Sequence, residues 1–236
     1  MKVTYIGHSG FLIETKDCYW IFDYYTGVLP NLRPDKAVFV FSSHAHQDHY
    51  TTKIFDMLRA MGMKDITAVL SDDISPAAYP RDREELTILP VSCHGTYELP
   101  YGTTVHTFRS TDEGVAFLVR CSEGTVYHAG DLNDWVWPGE SEEYNRSMAE
   151  NYRQEIGLLK RHCQEYLNGH PIDIACVPLD PRQEEYYALG MLGFLKEIPV
   201  AEVYPMHFWD QPDVIGRFLT DYPEYEHLIK NTMYFK

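Results

Sequence analysis

Residues 41–50 read FSSHAHQDHY and place His44, His46, Asp48 and His49 within six consecutive positions. Imidazole and carboxylate at that density suit zinc, iron or manganese, with no soft thiolate nearby. The cluster follows the apolar run AVFVF and precedes a helix-forming stretch, so it begins where a buried strand ends. Side chains there are held rigidly and can face a cleft. On an extended segment His44 and His46 project to one side, while Asp48 and His49 fall in the turn that enters the helix. A solvated His-rich turn is the bland alternative, and the spacing H-x-H-x-D-H at a strand end argues against it.

Two distant segments repeat the pattern of a strand that delivers a metal-type ligand. HAGD, residues 128–131, closes the run TVYH with Asp131, and YPMHFWD, residues 204–210, closes another apolar run with His207. A binuclear centre needs a carboxylate that bridges both ions and a histidine that completes the second shell. Asp131 and His207 meet those two needs.

The elements that must position these groups follow from pattern. VTYI, FLIE and CYWIF are short strands separated by the turn compositions GHSG and KD. AVFVF has the continuous apolar run of a strand buried on both faces. TTKIFDMLRAMG is a helix, capped by Thr51 or Thr52 and stopped at Gly62, and TAVLS is a strand. ELTILPV, TTVHTF, GVAFLVRC and GTVYHA continue as strands. A long polar helix over 141–167 follows, whose stripe predicts that only its second half packs on the core. IDIACVPL is then a strand, QEEYYALGMLGFLKEI a helix, AEVYPM a strand and VIGRFLTD a short helix. The order predicts an α/β (α+β) chain of one domain over 1–236, with two packed sheets and helices on the outer faces. A single mixed sheet with helices on both sides fits the periodicity equally.

Bulk properties narrow the function. The 236 residues carry a net charge of −15, which opposes binding to nucleic acid or anionic membrane. The five cysteines are odd in number and widely spaced, with no CxxC, as expected of free thiols in a reducing cytosol. The N-terminus alternates like a strand rather than a signal peptide, so a cytoplasmic protein without a membrane span is expected.

HxHxDH after a buried strand, a downstream GD after a strand and a late strand-terminal His resemble the metallo-β-lactamase superfamily. VTYIGHSGFLIE, FDYYTG and YHAGD resemble in particular its intracellular metal-dependent hydrolases, the neighbourhood of the ascorbate-phosphate lactonases. The resemblance covers nearly the whole chain and implies an αββα sandwich with metals at one edge of the two sheets. It implies that His44 and His46 bind the first ion, that Asp48, His49 and His207 bind the second, and that Asp131 bridges them. One family ligand is displaced. The first ion's third histidine normally precedes the strand corresponding to GVAFLVRC, where this chain reads FRSTDEG. Ser110 stands at the expected place, and Asp112, two residues later, is the better oxygen ligand. His94 in SCHGTYEL is the second substitute. The altered shell would favour a harder ion such as manganese, or leave the first site weak.

Several further residues carry two readings each. His8 in GHSGF is a general acid/base or substrate ligand in the cleft, or a turn histidine bonded to backbone. Asp23 in WIFD orients a ligand histidine through its other ring N–H, or is a strand-end carboxylate in water. His128 does the same or packs in its strand. Arg182 in LDPR holds a substrate phosphate or carboxylate, or forms a surface salt bridge. Trp135 and Trp137 wall the pocket or pack their loop. The Glu/Tyr-rich helix from residue 141 is a solvated face or a homo-oligomer contact.

The expected function is a hydrolase using one or two divalent ions, zinc first and manganese or iron next. Asp48, Asp131 and His8 act at the reacting centre of a small anionic ester, lactone or phosphoester. An iron-dependent redox or oxygenase protein, a phosphodiesterase or ribonuclease, and a metal-binding protein without catalysis are the competing classes.

Overall fold

A computed structural model describes residues 1–82 and 86–235. Glu85, the first residue of the expected strand ELTILPV, lies outside them. The first half of the chain forms β1 (Lys2–Gly7), β2 (Gly10–Glu14), β3 (Cys18–Phe22), β4 (Ala37–Ser42), α1 (Lys53–Ala60), β5 (Ile66–Ser71) and β6 (Leu86–Val91). These six strands make one sheet in sequence order. β1, β2 and β3 are antiparallel neighbours, and β3 to β6 run parallel.

The second sheet contains β7 (Thr96–Leu99), β8 (Thr103–Arg109), β9 (Val115–Cys121), β10 (Gly124–His128), β11 (Ile172–Pro178) and β12 (Val200–Met206). β7 to β10 are antiparallel, and β10, β11 and β12 are parallel. α2 (Glu142–Tyr166) and α3 (Leu189–Glu197) supply the two parallel crossovers, and α4 (Asp213–Asp221) follows β12.

Alternation along the strands decides the layers. In β3 and β4, Trp20, Phe22, Phe39 and Phe41 enter the larger core, while Tyr19, Ile21, Val38 and Val40 face α1 through Ile54, Phe55 and Leu58. Both faces of these strands are therefore buried, which explains the unbroken apolar run of AVFVF. Phe117 of β9 meets Phe41 edge-on at 5.3 Å, and His128 of β10 stacks on Phe22 at 5.0 Å. These contacts join the two sheets and settle the sandwich over the single mixed sheet. α2 docks through Tyr152, Glu155, Ile156, Leu159 and Cys163, so its buried face begins at Tyr152, slightly ahead of the second half that its stripe predicts.

Two elements depart from expectation. TYEL forms the four-residue β7, too short for alternation to reveal. The helix expected over 183–198 is divided: residues Pro181–Tyr186 form a 3₁₀ turn and α3 starts only at Leu189. Buried Gln183 binds the carbonyls of Asp134 and Val136, and Glu184 sits at φ 54°. Those tertiary bonds override helix propensity there.

Strand direction places the chemistry. β1, β3, β4, β8, β10, β11 and β12 all end at the same edge of the sandwich. His8, Asp23, His44, Asp112, Asp131, Asp180 and His207 each stand just beyond one of those ends. Ligand sites of α/β sheets gather at such carboxyl edges.

Candidate metal centre

The motif after β4 is organised from beneath by Asp23, whose carboxylate is fully buried. Its oxygens accept from the Ser43 amide at 2.7 Å, the Ser43 hydroxyl at 2.6 Å and His49 Nδ1–H at 2.8 Å. Since the Ser43 hydroxyl donates to Asp23, its oxygen accepts from His44 Nδ1–H at 2.9 Å. Both histidines are thereby fixed in the tautomer that turns a bare Nε2 toward the sheet edge. On the other sheet Asp180 does the same for His207, accepting from Nδ1–H at 3.0 Å. Asp180 also accepts from Arg182 Nε at 3.0 Å, so the anion is balanced by a guanidinium.

Among the described residues two groups of side chains could hold a metal ion: His44, His46, Asp112 and Asp131, and His8, Asp48, His49 and His207. Within each group the donor atoms lie within 4.8 Å of one another. Asp131 stands between the groups. Its Oδ2 is 3.7 Å from His44 Nε2, and its Oδ1 is 3.3 Å from His49 Nε2 and 3.5 Å from His207 Nε2. His46 Nδ1 is 3.6 Å from Asp112 Oδ2. Donors around a tetrahedral ion at about 2.1 Å would stand about 3.4 Å apart. The separations to Asp131 and Asp112 match that spacing, while His44 Nε2 and His46 Nδ1 stand closer, at 2.9 Å. His49 Nε2 and Asp131 Oδ1 are buried without a hydrogen-bond partner. Buried polar atoms ordinarily find partners, so these two suit a bound cation, and the donor set fits one.

Backbone strain concentrates here. His8, Asp23, His207 and Trp209 have φ of 52°, 40°, 61° and 51°, the left-handed region that side chains avoid. Each such residue costs on the order of 1–3 kcal/mol and persists where packing over-determines it.

Electrostatics agree with a site built for positive charge. Burial opposes ionisation of Asp131, but His207, His49 and His44 outweigh it and hold the carboxyl well below its usual range. Burial likewise opposes protonation of His207, yet Asp131 and Asp180 raise it to about 10. Asp112 moves the other way, raised by burial and by the neighbouring Asp131. Burial lowers His44 and His8, His49 adding to the effect in each. In short, more anionic field surrounds His207 and His49 than the neutral rings need.

A pocket of about 300 Å³ opens over the two groups. His46, Asp48, Asp112, Asp131 and His207 form its floor, and Trp135, Trp137, Tyr144, Met148, Arg182 and Trp209 its wall. The volume is at the small end of ligand pockets.

The expected residues are distributed as follows. His44, His46, Asp48, His49, Asp112, Asp131 and His207 converge in one place from three parts of the chain. Asp112 stands with His44 and His46, whereas Ser110 uses its hydroxyl to accept from the Asp112 amide at 3.1 Å. His94 is elsewhere, bound to Glu155 at 3.0 Å. His8, read either as a cleft group or as a turn histidine bonded to backbone, is not among the residues lining this pocket; its Nε2 lies 3.2 Å from Asp48 Oδ2 and its ring packs on His207 and Trp209. His128 is a packed strand histidine. Its Nδ1 accepts from the Gly130 amide at 3.2 Å, so its Nε2–H donates to the Ser9 carbonyl at 2.8 Å. Arg182 pairs with the buried Asp180 carboxylate and also lines the pocket.

Asp180, Trp209, Tyr144 and Met148 join the site without having been singled out by pattern. Asp180 occupies the strand-end position that Asp23 occupies in WIFD, which is the signal that could have found it. Tyr144 and Met148 lie on the polar half of α2, where no periodicity marks them.

The profile of the "Beta-lactamase superfamily domain" family matches residues 2–143, more than half of the chain. A "UPF0173 metal-dependent hydrolase" of Opitutus terrae is 25% identical over 236 aligned residues, covering 91% of this chain and 87% of that one. In structure the chain is similar to Igni18, described as a novel metallo hydrolase from Ignicoccus hospitalis. The TM-score is 0.60 at 17% identity, over 97% of this chain and 93% of that one. It is also similar to CmlA, a diiron beta-hydroxylase from Streptomyces venezuelae, at TM-score 0.59 and 11% identity, over 96% of this chain and about half (52%) of that one. Two facing sheets with a His/Asp cluster at their common edge, together with the matched profile, make this chain a member of the metallo-β-lactamase superfamily.

Proposed function

We propose that the protein is a metal-dependent hydrolase of a small ester, lactone or phosphoester that carries negative charge. The observation that supports it best is the pair of four-donor groups with Asp131 between them and a pocket directly above. When bound, one or two divalent ions, zinc foremost and manganese or iron next, supply an activated water and a Lewis acid at neutral pH. His44, His46, Asp112 and Asp131 would hold the first ion and Asp48, His49 and His207 the second, with Asp131 reaching both.

The chain's own groups do the rest. Asp23, Ser43 and Asp180 hold the histidines in one tautomer, so no reorganisation precedes binding. Asp131, kept ionised by the imidazoles, holds and orients the attacking water through a carboxylate oxygen. His8 fixes the free oxygen of Asp48. Arg182 presents the guanidinium N–H groups that Asp180 does not use, and these orient a substrate carboxylate or phosphate. Trp135 donates its indole N–H to the Asp131 carbonyl at 2.9 Å and so keeps that loop in place. Polyanionic RNA is disfavoured by the net charge of −15.

His and Asp donors without thiolate also suit iron, so a redox protein on this scaffold is the second reading. Metal analysis and visible absorption of the purified protein separate the two, with colourless zinc or manganese expected. The decisive test pairs metal content of wild type and Asp131→Ala with a screen of esters, lactones and phosphodiesters. Loss of metal and at least a hundredfold loss of activity are expected; full metal retention in Asp131→Ala would refute the reading.

A further inference from the structure

Three of the chain's four tryptophans stand in one wall of the pocket. Trp135 and Trp137 come from the loop after β10, Trp209 from the turn after β12, and Tyr144 with Met148 from the first half of α2. Trp135 and Trp137 are parallel, with ring centroids 5.6 Å apart and planes within 2°. The Arg182 guanidinium lies 4.6 Å from the Trp209 ring centre and 5.7 Å from that of Trp137. Tyr144 and Trp209 leave 41% and 40% of their surface in solvent.

This wall is built in advance. The Trp137 amide donates to Asn145 Oδ1 at 3.0 Å, and Asn145 Nδ2 donates back to the Trp137 carbonyl at 3.0 Å. Buried Gln183 donates to the carbonyls of Asp134 and Val136 at 2.7 and 3.0 Å, and accepts from Asn133 at 2.9 Å. Asn145 and Gln183 thus fix the backbone that carries Trp135 and Trp137. A ring held before the ligand arrives loses little entropy on binding, which is the physics of a recognition surface.

The Trp135 N–H is committed to the Asp131 carbonyl, and the Asp180 carboxylate to Arg182. The rest of Arg182, the Tyr144 hydroxyl and the indole N–H groups of Trp137 and Trp209 are the polar groups left on this wall. A planar ring laid on such faces needs no hydrogen bond from them. We propose that this wall is a stacking subsite, and that the non-reacting part of the substrate is a planar conjugated ring. The inference rests on the hydrolase reading only for which end of the ligand meets the metal groups; the ring lies against Trp137 and Tyr144, and Arg182 meets an acidic substituent.

Calorimetric titration of the zinc-loaded full chain with 2-naphthoate and with decalin-2-carboxylate tests it, because the two share charge and carbon skeleton and differ in planarity. The naphthoate is expected to bind about three- to tenfold tighter, the range of ring–ring pairs. That preference should fall below twofold in Trp137→Leu and in Tyr144→Leu, the second lying on an exposed helix face where folding is not at stake. Equal affinity for both acids, or a preference that survives both substitutions, overturns the subsite. Turnover of 2-naphthyl acetate is followed separately. Retained preference without turnover of this ester or of any anionic ester, lactone or phosphodiester in the metal-loaded screen removes the hydrolase reading and leaves the subsite standing.

Discussion

Asp180 shows how much of the centre depends on residues that touch neither metal nor substrate. It carries His207 through one hydrogen bond and Arg182 through another, so one carboxylate sets both a ligand and the pocket's cation. Burial works against its ionisation, but His207 and Arg182 hold it below the usual carboxylate range. Asp180→Ala frees His207 Nδ1 and releases Arg182. Metal affinity should fall about 10- to 100-fold with the far-ultraviolet dichroism unchanged. A zinc titration within twofold of wild type would show that His207 needs no such support.

At the scale of elements, the β8–β9 turn and the β4 motif are locked by close approach. Gly114 has φ +69°, and a Cβ there would stand 2.0 Å from the Ser43 carbonyl and 2.7 Å from His44 Cβ. Gly102 has a similar φ of +64° with nothing within 4 Å. Both Gly→Ala changes incur the left-handed penalty of roughly 1–2 kcal/mol, but only Gly114→Ala also displaces the motif. Thermal melts and metal stoichiometry should therefore separate the two variants, with Gly114→Ala less stable and poorer in metal. Matching behaviour would mean that the turn yields freely.

The seam between α2 and β8 carries a pH response of its own. His106 is 5% exposed and faces His162 at 4.2 Å, with Tyr166 against the same ring. Burial, then His162 and Arg120, push its imidazole from 6.5 down to about 4. Between those values the unfolded chain takes up a proton that the folded chain refuses. The stability involved is complete above pH 6.5 and is lost as pH falls toward 4, on the order of 1–3 kcal/mol. Denaturant melts across that window should show the slope in wild type and a smaller one in His106→Phe. An equal slope in both would assign the effect to other groups.

Over the whole molecule, the centre is a joint between sheets. His44, His46, Asp48 and His49 follow a strand of the first sheet, and Asp112, Asp131 and His207 follow strands of the second. A cation shared by them fastens the two layers, so it binds the folded state and not the unfolded one. At one hundred times its dissociation constant it adds about 2.7 kcal/mol. For a chain of this size that is roughly 5–10 °C in Tm, to be lost on chelation and restored by added zinc. A melt insensitive to chelator would mean that the two sides do not grip a common ion. Among the described residues no helix is long and apolar enough to cross a membrane.

The local order of residues was enough to mark what repeats or clusters. HxHxDH at a strand end, Asp131 in HAGD and His207 after an apolar run could be read directly, as could the buried strands AVFVF and GVAFLVRC and the packed second half of α2. Each of those signals lies within about ten residues, where periodicity and composition act. What remained open depended on contacts between distant segments. Asp112 rather than Ser110 or His94 beside His46 is settled only when strands from both sheets end at one edge, and His8 beside Asp48 and Asp180 beside His207 only when strands of one sheet do. The same holds for Tyr144 and Trp209, whose neighbours lie far away in sequence. The chain's own letters name the donors because metal-binding side chains are chemically distinctive. Which donors meet is fixed by packing, and their tautomer by one buried hydrogen bond from the end of the neighbouring strand.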